Sequence, residues 1–291
     1  KDVFSPFVVN PAELVLADSI SVQLADRLGV ELNQEFLSQQ FLQHNAKRTQ
    51  CLKKNLSYVE NDDDINTLNK PEKYTIYIAA AGPTLDDHLV WLKQHDVYII
   101  AVDAAIETLI NADIKPNIVI SIDYLAFHFF QHLPAEKLTD IPLVYFPNIQ
   151  SEMLPFWPGP RYCTYSLTPL YKELVKKHPK TSLYSAGSVI HPAVDLAVFL
   201  QAKEIVLLGA DFSFVNNKSH AGSIEQSHTL AIETARHSLV NYLGEKTLTM
   251  ASFKGYLRDL ERYIAKHSNV KFFTGSNQSA KIEGVELWTK R

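Results

Sequence analysis

Cysteine is scarce in this chain of 291 residues, which has only Cys51 and Cys163. Two cysteines cannot build the disulfide framework of a small secreted domain, so we expect both to be idle thiols in a reducing compartment. No signal peptide is recognisable at the start of the sequence. The richest apolar stretch, 194–212, is interrupted by five charged or polar residues and is too broken to span a bilayer. These absences predict a cytoplasmic protein without membrane insertion.

Positive charge is not in surplus either. The chain has 28 Lys and Arg against 32 Asp and Glu, which gives a net charge of −4 and a pI near 6.3. Nucleic-acid-binding domains usually carry a basic surplus, so we expect no nucleic-acid partner. A local basic pocket for a phosphate is compatible with this balance.

Several well-known site motifs are missing as well. Neither G-x-G-x-x-G nor the P-loop G-x-x-x-x-G-K-[ST] occurs, and no C-x-x-C pair is present. His128 and His132 are four residues apart, a spacing that suits a metal pair on a helix. Because no third ligand is evident nearby, we predict no metal site.

Short apolar runs alternate with helix-like segments after Pro71. The runs, rich in strand-forming residues, are 74–80, 97–102, 118–122, 143–146 and 205–208, and the helix-like segments are 85–94, 104–112, 125–133 and 189–200. This alternation predicts an α/β fold with a doubly wound, mostly parallel, Rossmann-like sheet.

Helices are also predicted on both sides of this region. Residues 1–57 carry apolar residues at three- and four-residue steps, and a further amphipathic helix is predicted over 225–243, within a helical C-terminal region that extends to 267. The acidic run Asp62–Asp64 is interpreted as part of a solvated linker. We therefore predict an N-terminal helical segment and linker over 1–70, followed by a Rossmann-like domain over 71–291.

Ligands of such sheets bind outside the carboxyl ends of the strands. The first predicted strand is followed by Gly82, Pro83 and Thr84. Glycine permits a tight turn, and Thr84 can cap a helix whose N-terminus suits a phosphate. A well-capped turn without a ligand is the alternative interpretation.

Polar residues follow the next three predicted strands. Asp103 comes 21 residues after Gly82, near the ~20-residue interval at which dinucleotide-binding folds place an acid for ribose hydroxyls. It could equally cap the following helix. Asp123 follows the third strand, and Asn148 follows the fourth, where its amide could contact a base or a carboxylate.

The second half of the chain contributes two further candidate sites. Gly187 and Ser188 form a small-residue turn that leads into a predicted helix, and Asp211 follows the strand at 205–208. His220 lies in the polar loop that comes next and is the best candidate for a general acid or base. His191 is a weaker candidate near the Gly187 turn.

Five segments, in their order along the chain, resemble the bacterial motility-associated factors. They are AAAGPTLDDHLVWLKQ, AVDAAIETLINADIKPNIVISID, GSVIHPAVDLAVFLQAKEIVLLGADF, KSHAG and SAKIEG, within a resemblance that runs from Asn55 to Val285. It implies that 71–291 is a nucleotide-sugar-binding catalytic domain. The implied activity is transfer of a nonulosonic, sialic-acid-like sugar from a CMP-activated donor to Ser or Thr of flagellin or another protein acceptor. The third segment is also similar to bacterial sialyltransferases.

The resemblance also implies roles for the residues at the strand ends. His220 becomes the general base and Asp211 a structural or orienting residue, with no cofactor required beyond the CMP-sugar substrate. Ala80 and Ala186 stand where the family usually has glycine, and 275–280 lacks a paired glycine. The predicted nucleotide- and donor-binding residues are Gly82, Pro83, Thr84, Asp103, Asp123, Asn148, Gly187 and Ser188.

Two alternatives remain open from the sequence. The core is similar to archaeal 6-hydroxymethyl-dihydropterin diphosphokinases, which would use ATP and Mg²⁺ held by Asp103, Asp123 or Asp211. The altered glycines also fit a non-catalytic nucleotide-binding scaffold that docks flagellin or another enzyme through its helices. The N-terminal helical segment and the SAKIEG ending favour the transferase.

Overall fold

The computed structural model describes residues 45–218, 220–222 and 237–289, together with Asp18, Ser21, Leu24 and Leu28. The chain divides into two compact units, Lys1–His44 and Asn45–Arg291, and the fold described below belongs to the second. Most of the helical prediction for 1–44, and the part of the predicted helix that falls in 223–236, lie outside the described residues.

Helices and strands alternate along most of the second unit. The described α-helices are α1 (Asn45–Lys54), α2 (Leu56–Asn61), α3 (Leu89–Gln94), α4 (Ile106–Asn111), α5 (Met153–Phe156), α6 (Lys172–Lys177), α7 (Ile190–Phe199) and α8 (Ala251–Ala265). The described strands are β1 (Asp63–Asp64), β2 (Thr75–Ala79), β3 (Tyr98–Val102), β4 (Ile118–Ser121), β5 (Leu143–Tyr145), β6 (Arg161–Cys163), β7 (Tyr165–Ser166), β8 (Ser182–Leu183), β9 (Glu204–Leu208), β10 (His237–Val240), β11 (Lys246–Thr249), β12 (Lys271–Thr274) and β13 (Val285–Leu287).

Nine of these strands form one sheet, in the order β1-β6-β5-β4-β3-β2-β9-β12-β13. Every neighbouring pair in it is parallel. The strands predicted from the apolar runs are β2 to β5 and β9, and Ile76, Ile100 and Leu207 in them are fully buried. Helices flank the sheet, with α7 packed against β2 and β3. The predicted Rossmann-like α/β fold is confirmed.

Two helical predictions are wrong because tertiary contacts override the local pattern. Residues 125–133 contain only a 3-10 turn, Ala126–Phe129. In this segment Phe127 packs edge-on against Phe156, and Phe130 packs edge-on against Trp157. Instead of continuing a helix, 237–240 forms β10, which pairs antiparallel with β11. The side chain of Asn241 accepts hydrogen bonds from the backbone N–H groups of Leu243 and Glu245, which stabilises the hairpin turn.

The prediction of a solvated acidic run at 62–64 holds only for Asp63, which is exposed, whereas Asp62 and Asp64 are half-buried. Asp62 pairs with Arg161 of β6 through two hydrogen bonds of 2.9 Å, and it accepts a third from the hydroxyl of Tyr145 at 3.0 Å. Asp63 and Asp64 form the edge strand β1. Arg161 is 99 residues from Asp62 in the sequence, so no local sequence pattern predicts this ion pair.

The longest described helix, α8, has 15 residues. Within the described parts of the chain, no helix combines the length and apolar character that a membrane span requires.

Candidate functional site

The direction of the chain through the sheet reverses between β2 and β9. From β2 the chain proceeds outward through β3, β4, β5 and β6, and it then returns to β9 on the other side of β2. Loops that leave the strands diverge at such a reversal and open a crevice at the carboxyl edge. A cavity of about 170 Å³ lies there, lined by residues that follow β2, β3 and β9 and by parts of α7 and α8.

Two glycines bring the exits of β2 and β9 together at the base of this cavity. The N–H of Gly82 donates to the carbonyl of Gly209 over 2.8 Å. A Cβ on Gly82 would collide with that carbonyl and would lie 2.5 Å from Oδ2 of Asp211. Gly209 itself has a φ of +71°, in the region that favours glycine. Glycine is therefore required here for close approach of two backbones.

Asp211 holds this junction closed. Its carboxylate accepts hydrogen bonds from the N–H of Thr84 at 2.9 Å, from the hydroxyl of Thr84 at 2.5 Å and from the hydroxyl of Ser279 at 2.5 Å. Asp211 is 2% exposed, and burial raises the pKa of its carboxyl although these hydrogen bonds oppose the shift. This geometry fits an orienting role for Asp211.

The turn after β2 has few backbone donors left for a ligand. Pro83 is buried and has no N–H, the N–H of Gly82 binds Gly209, and that of Thr84 binds Asp211. The sequence predicts that Thr84 caps the following helix, and this prediction is wrong. Its side chain bonds to Asp211 instead, and the 3-10 turn Pro83–His88 has no side-chain cap. Gly82 thus lines the cavity, whereas Pro83 and Thr84 are buried and are not among its lining residues.

His220 lies on the wall of the cavity and is placed there by the two residues that follow it. The N–H of Ala221 donates to the carbonyl of Ala81 over 2.8 Å. The N–H of Gly222 lies 3.2 and 3.1 Å from the two carboxylate oxygens of Asp86. Burial lowers the pKa of His220, and the nearby His128 lowers it further. A lowered pKa keeps the imidazole neutral near pH 7, as a general base requires.

Helix α7 presents its N-terminus to the same cavity. Ser188, Val189 and Ile190 line it, and the first N–H groups of a helix have no partner within the helix. Gly187, with a φ of +91°, lets the chain pass Tyr256 of α8, whose ring would lie 3.0 Å from a Cβ at this position. An oxyanion bound here would meet both N–H donors and the partial positive charge of the helix end.

His191, the weaker acid or base candidate, is buried in contacts with the backbone. It is 1% exposed, and its two ring nitrogens lie 3.1 Å from the carbonyl oxygen of Ser188 and 2.9 Å from that of Tyr256. Burial lowers its pKa. These contacts tie the start of α7 to α8 and leave the ring facing the protein interior.

Three predicted residues lie at the carboxyl edge but are not among the residues that line this cavity. Asp103 is 4% exposed and accepts hydrogen bonds from the Ser121 hydroxyl and the Ala104 N–H, both at 2.9 Å; burial raises its pKa to about 6. Asn148 is also buried, donating to the Ile122 carbonyl and accepting from the Tyr171 hydroxyl. Asp123 is exposed and accepts a hydrogen bond from the N–H of Leu125.

The site also contains residues that the sequence did not single out. Phe253 and Tyr256 line the cavity, and Asp86 binds the backbone of Gly222 beside it. Of these three, only Asp86 has a sequence position, between a strand and a helix, that could have indicated a role. Within the described ranges, no three His, Cys, Asp or Glu side chains are grouped so as to hold a metal ion.

Comparisons with known proteins agree with this architecture. A family model described as 6-hydroxymethylpterin diphosphokinase MptE-like matches residues 50–217, more than half of the chain. A search of curated proteins gave no match. A solved structure of a MAf glycosyltransferase from Magnetospirillum magneticum AMB-1 superposes with a TM-score of 0.65 at 17% identity, covering 84% of this chain and 38% of that one. At that identity the likeness establishes the fold, and this chain spans well under half the length of that protein.

Proposed function

The chain belongs to the 6-hydroxymethylpterin diphosphokinase MptE-like family, and from that premise we propose that it is a glycosyltransferase whose donor is a CMP-activated nonulosonic acid. The acceptor is a Ser or Thr hydroxyl of flagellin or of another protein. The observation that carries the proposal is the cavity between β2 and β9, where His220 and the N-terminus of α7 line the same space. The shared fold with a glycosyltransferase supports it.

The reaction needs a stabilised leaving group and a deprotonated acceptor. The N–H groups at the start of α7 bind the phosphate of the departing CMP, which is electrostatic stabilisation by preorganised donors. The acceptor oxygen attacks the anomeric carbon of the sugar, the bond from that carbon to the phosphate oxygen breaks, and the hydroxyl proton passes to His220. Asp211 keeps the exits of β2 and β9 in register below the reacting atoms.

Thermal-shift measurements with CMP, CDP, ATP and GMP, each with and without Mg²⁺, test this proposal. A ligand at 100 times its Kd adds about 2.7 kcal/mol to the free energy of unfolding. We expect stabilisation by cytidine nucleotides that does not depend on Mg²⁺. No shift with any nucleotide contradicts the proposal, and binding of CMP without transfer to a protein would identify a scaffold instead.

A diphosphokinase is the second candidate, favoured by the description of the family model. It would transfer diphosphate from ATP to a pterin hydroxyl and release AMP, and Mg²⁺ would neutralise charge on the phosphates. Two of the three carboxylates expected to hold that ion, Asp103 and Asp211, fit poorly because they are buried and engaged by Ser121, Thr84 and Ser279. The third, Asp123, is exposed. Release of AMP from ATP that depends on Mg²⁺ and a pterin would place this function first.

A further inference from the structure

Phe212, in the loop that follows β9, has a backbone conformation that bulky residues rarely adopt. Its φ is +49°, in the left-handed region that glycine and asparagine enter more easily. Of the other described non-glycine residues with a positive φ, Asn216 and Asn217 are of the type that tolerates it. Asp113 and Gln201 directly follow the C-caps of α4 and α7, where chains commonly turn left-handed. Neither explanation applies to Phe212.

Hydrogen bonds on both sides hold Phe212 in this conformation. Its own carbonyl accepts a bond of 2.6 Å from the hydroxyl of Thr249, which is fully buried. The preceding carbonyl, of Asp211, accepts bonds from the N–H of Ala280 at 3.0 Å and from the hydroxyl of Ser213 at 3.1 Å. Strained conformations persist only where the surrounding contacts impose them, and they cluster at sites that bind ligands. The strain at Phe212 therefore points to a function of its side chain.

Phe212 lines the cavity between β2 and β9, together with two aromatic residues of α8. Both of these rings are packed against other rings of the protein. The centroid of Phe253 lies 5.8 Å from that of Phe214, and Tyr256 meets His191 edge-on at 6.1 Å. Within the described part of the chain, the half-buried ring of Phe212 has no such aromatic neighbour. It is therefore the ring of this cavity that is available to stack on a planar ligand.

The size and lining of the cavity favour an aromatic ligand group. Its volume of about 170 Å³ is below the ~300–1,000 Å³ of pockets that enclose a drug-sized ligand, so only part of a nucleotide sugar lies within it. Its lining includes Ala80, Val102 and Ala210 and is mostly apolar. Such a lining suits a planar base better than a hydroxyl-rich sugar, which needs many hydrogen-bond partners.

We propose that Phe212 is the residue on which the base of the nucleotide donor stacks. This inference rests on the proposed function and names the side chain that binds the aromatic part of the donor. The backbone holds the ring in place before the donor arrives, so binding does not have to order it. Stacking does not distinguish one base from another, so the choice of cytidine belongs to other contacts of the site.

Binding of CMP tests the inference with variants that separate the aromatic ring from its bulk. Isothermal titration of the full chain compares the wild type with Phe212→Leu, Phe212→Tyr and the matched control Phe273→Leu, a half-buried residue of β12 that is not among those lining the cavity. We expect Phe212→Leu to weaken CMP about 5- to 100-fold, whereas Phe212→Tyr and Phe273→Leu keep the wild-type affinity. The affinity for ribose 5-phosphate, measured by competition with CMP, should not change in Phe212→Leu, because this probe has no base.

Other results separate this inference from the function on which it rests. Wild-type affinity of Phe212→Leu for CMP overturns the inference and leaves the proposed function standing. An equal loss for CMP and ribose 5-phosphate does the same, because the ring would then only shape the cavity. A wild type that does not bind CMP overturns the proposed function and the inference with it. If Phe212→Leu does not fold, Phe212→Gly replaces it, since glycine adopts this φ without strain.

The strain itself is tested by melting temperatures. We expect Phe212→Gly to melt above Phe212→Ala, because both lose the ring but only alanine is strained at a positive φ. The reverse order would show that the backbone does not force this conformation, and it would overturn the inference at its first step.

Discussion

Asp211 and Asp123 follow two strands of the same sheet, at the same edge, in opposite environments. Asp211 is 2% exposed and binds Thr84 and Ser279, whereas Asp123 is exposed and accepts a bond from its own loop. The carboxylate after β9 is thus enclosed beside the cavity between β2 and β9, whereas the carboxylate after β4 faces solvent. A strand-end carboxylate serves the fold where it is buried, and it is available for chemistry where it is not.

The largest expected effect comes from opening the closed junction. We expect Asp211→Ala to lower the free energy of unfolding by about 3–6 kcal/mol, because it leaves three buried donors on Thr84 and Ser279 without their acceptor. Urea unfolding of this variant and of the control Asp123→Ala measures the contrast, and the control should change by less than about 0.5 kcal/mol. Similar losses in both variants would contradict the division of the edge into two sides.

The next effect concerns catalysis at the cavity wall. We expect His220→Ala to reduce turnover about 10²–10⁴-fold with little change in melting temperature. Because the pKa of His220 is lowered by burial, its neutral form persists below the usual pKa of about 6.5, so the acid limb of the kcat/KM profile should have its midpoint below that pH. His237→Ala, on the hairpin, is the matched control. Near-normal turnover of His220→Ala would remove this residue from the mechanism.

The smallest effect tests a buried carboxylate that lies between the two sides. We expect Asp103→Asn to stabilise the protein at pH 7 by about 1–3 kcal/mol, because burial raises the folded-state pKa of Asp103 to about 6 against about 3.9 when unfolded. As the pH falls from 7 to 5 the folded state binds this proton first, so the wild type gains stability while the variant lacks that gain. Thermal unfolding of the wild type and the variant at pH 7 and pH 5 measures this difference in stability. A variant less stable than the wild type at pH 7 would contradict the prediction.

The central strands could be predicted from the sequence because both of their faces are buried. Runs such as YTIYIAA and IVLL need apolar residues throughout, and they stand out without any partner. The outer strands β6 and β12 are three and four residues long and begin with Arg161 and Lys271, so they carry no comparable signal. Hairpin β10–β11 could not be predicted from the apolar pattern, because its turn is stabilised by hydrogen bonds to the side chain of Asn241.

The site was predictable from strand ends and from one small-residue turn. Strand ends led to Gly82, Asp211 and the following loop with His220, and the turn before a predicted helix led to Ser188; all four residues line one cavity. These rules could not show that Thr84 and Asp211 would bind each other across 127 residues of sequence.

His220 is attached to the β2 turn rather than to the strand that precedes it. Ala221 and Gly222 bind Ala81 and Asp86, so the position of the imidazole is set before the chain continues beyond Gly222. A change of Asp86 would therefore be transmitted to the imidazole through the backbone of Gly222, although Asp86 precedes His220 by more than a hundred residues in the sequence.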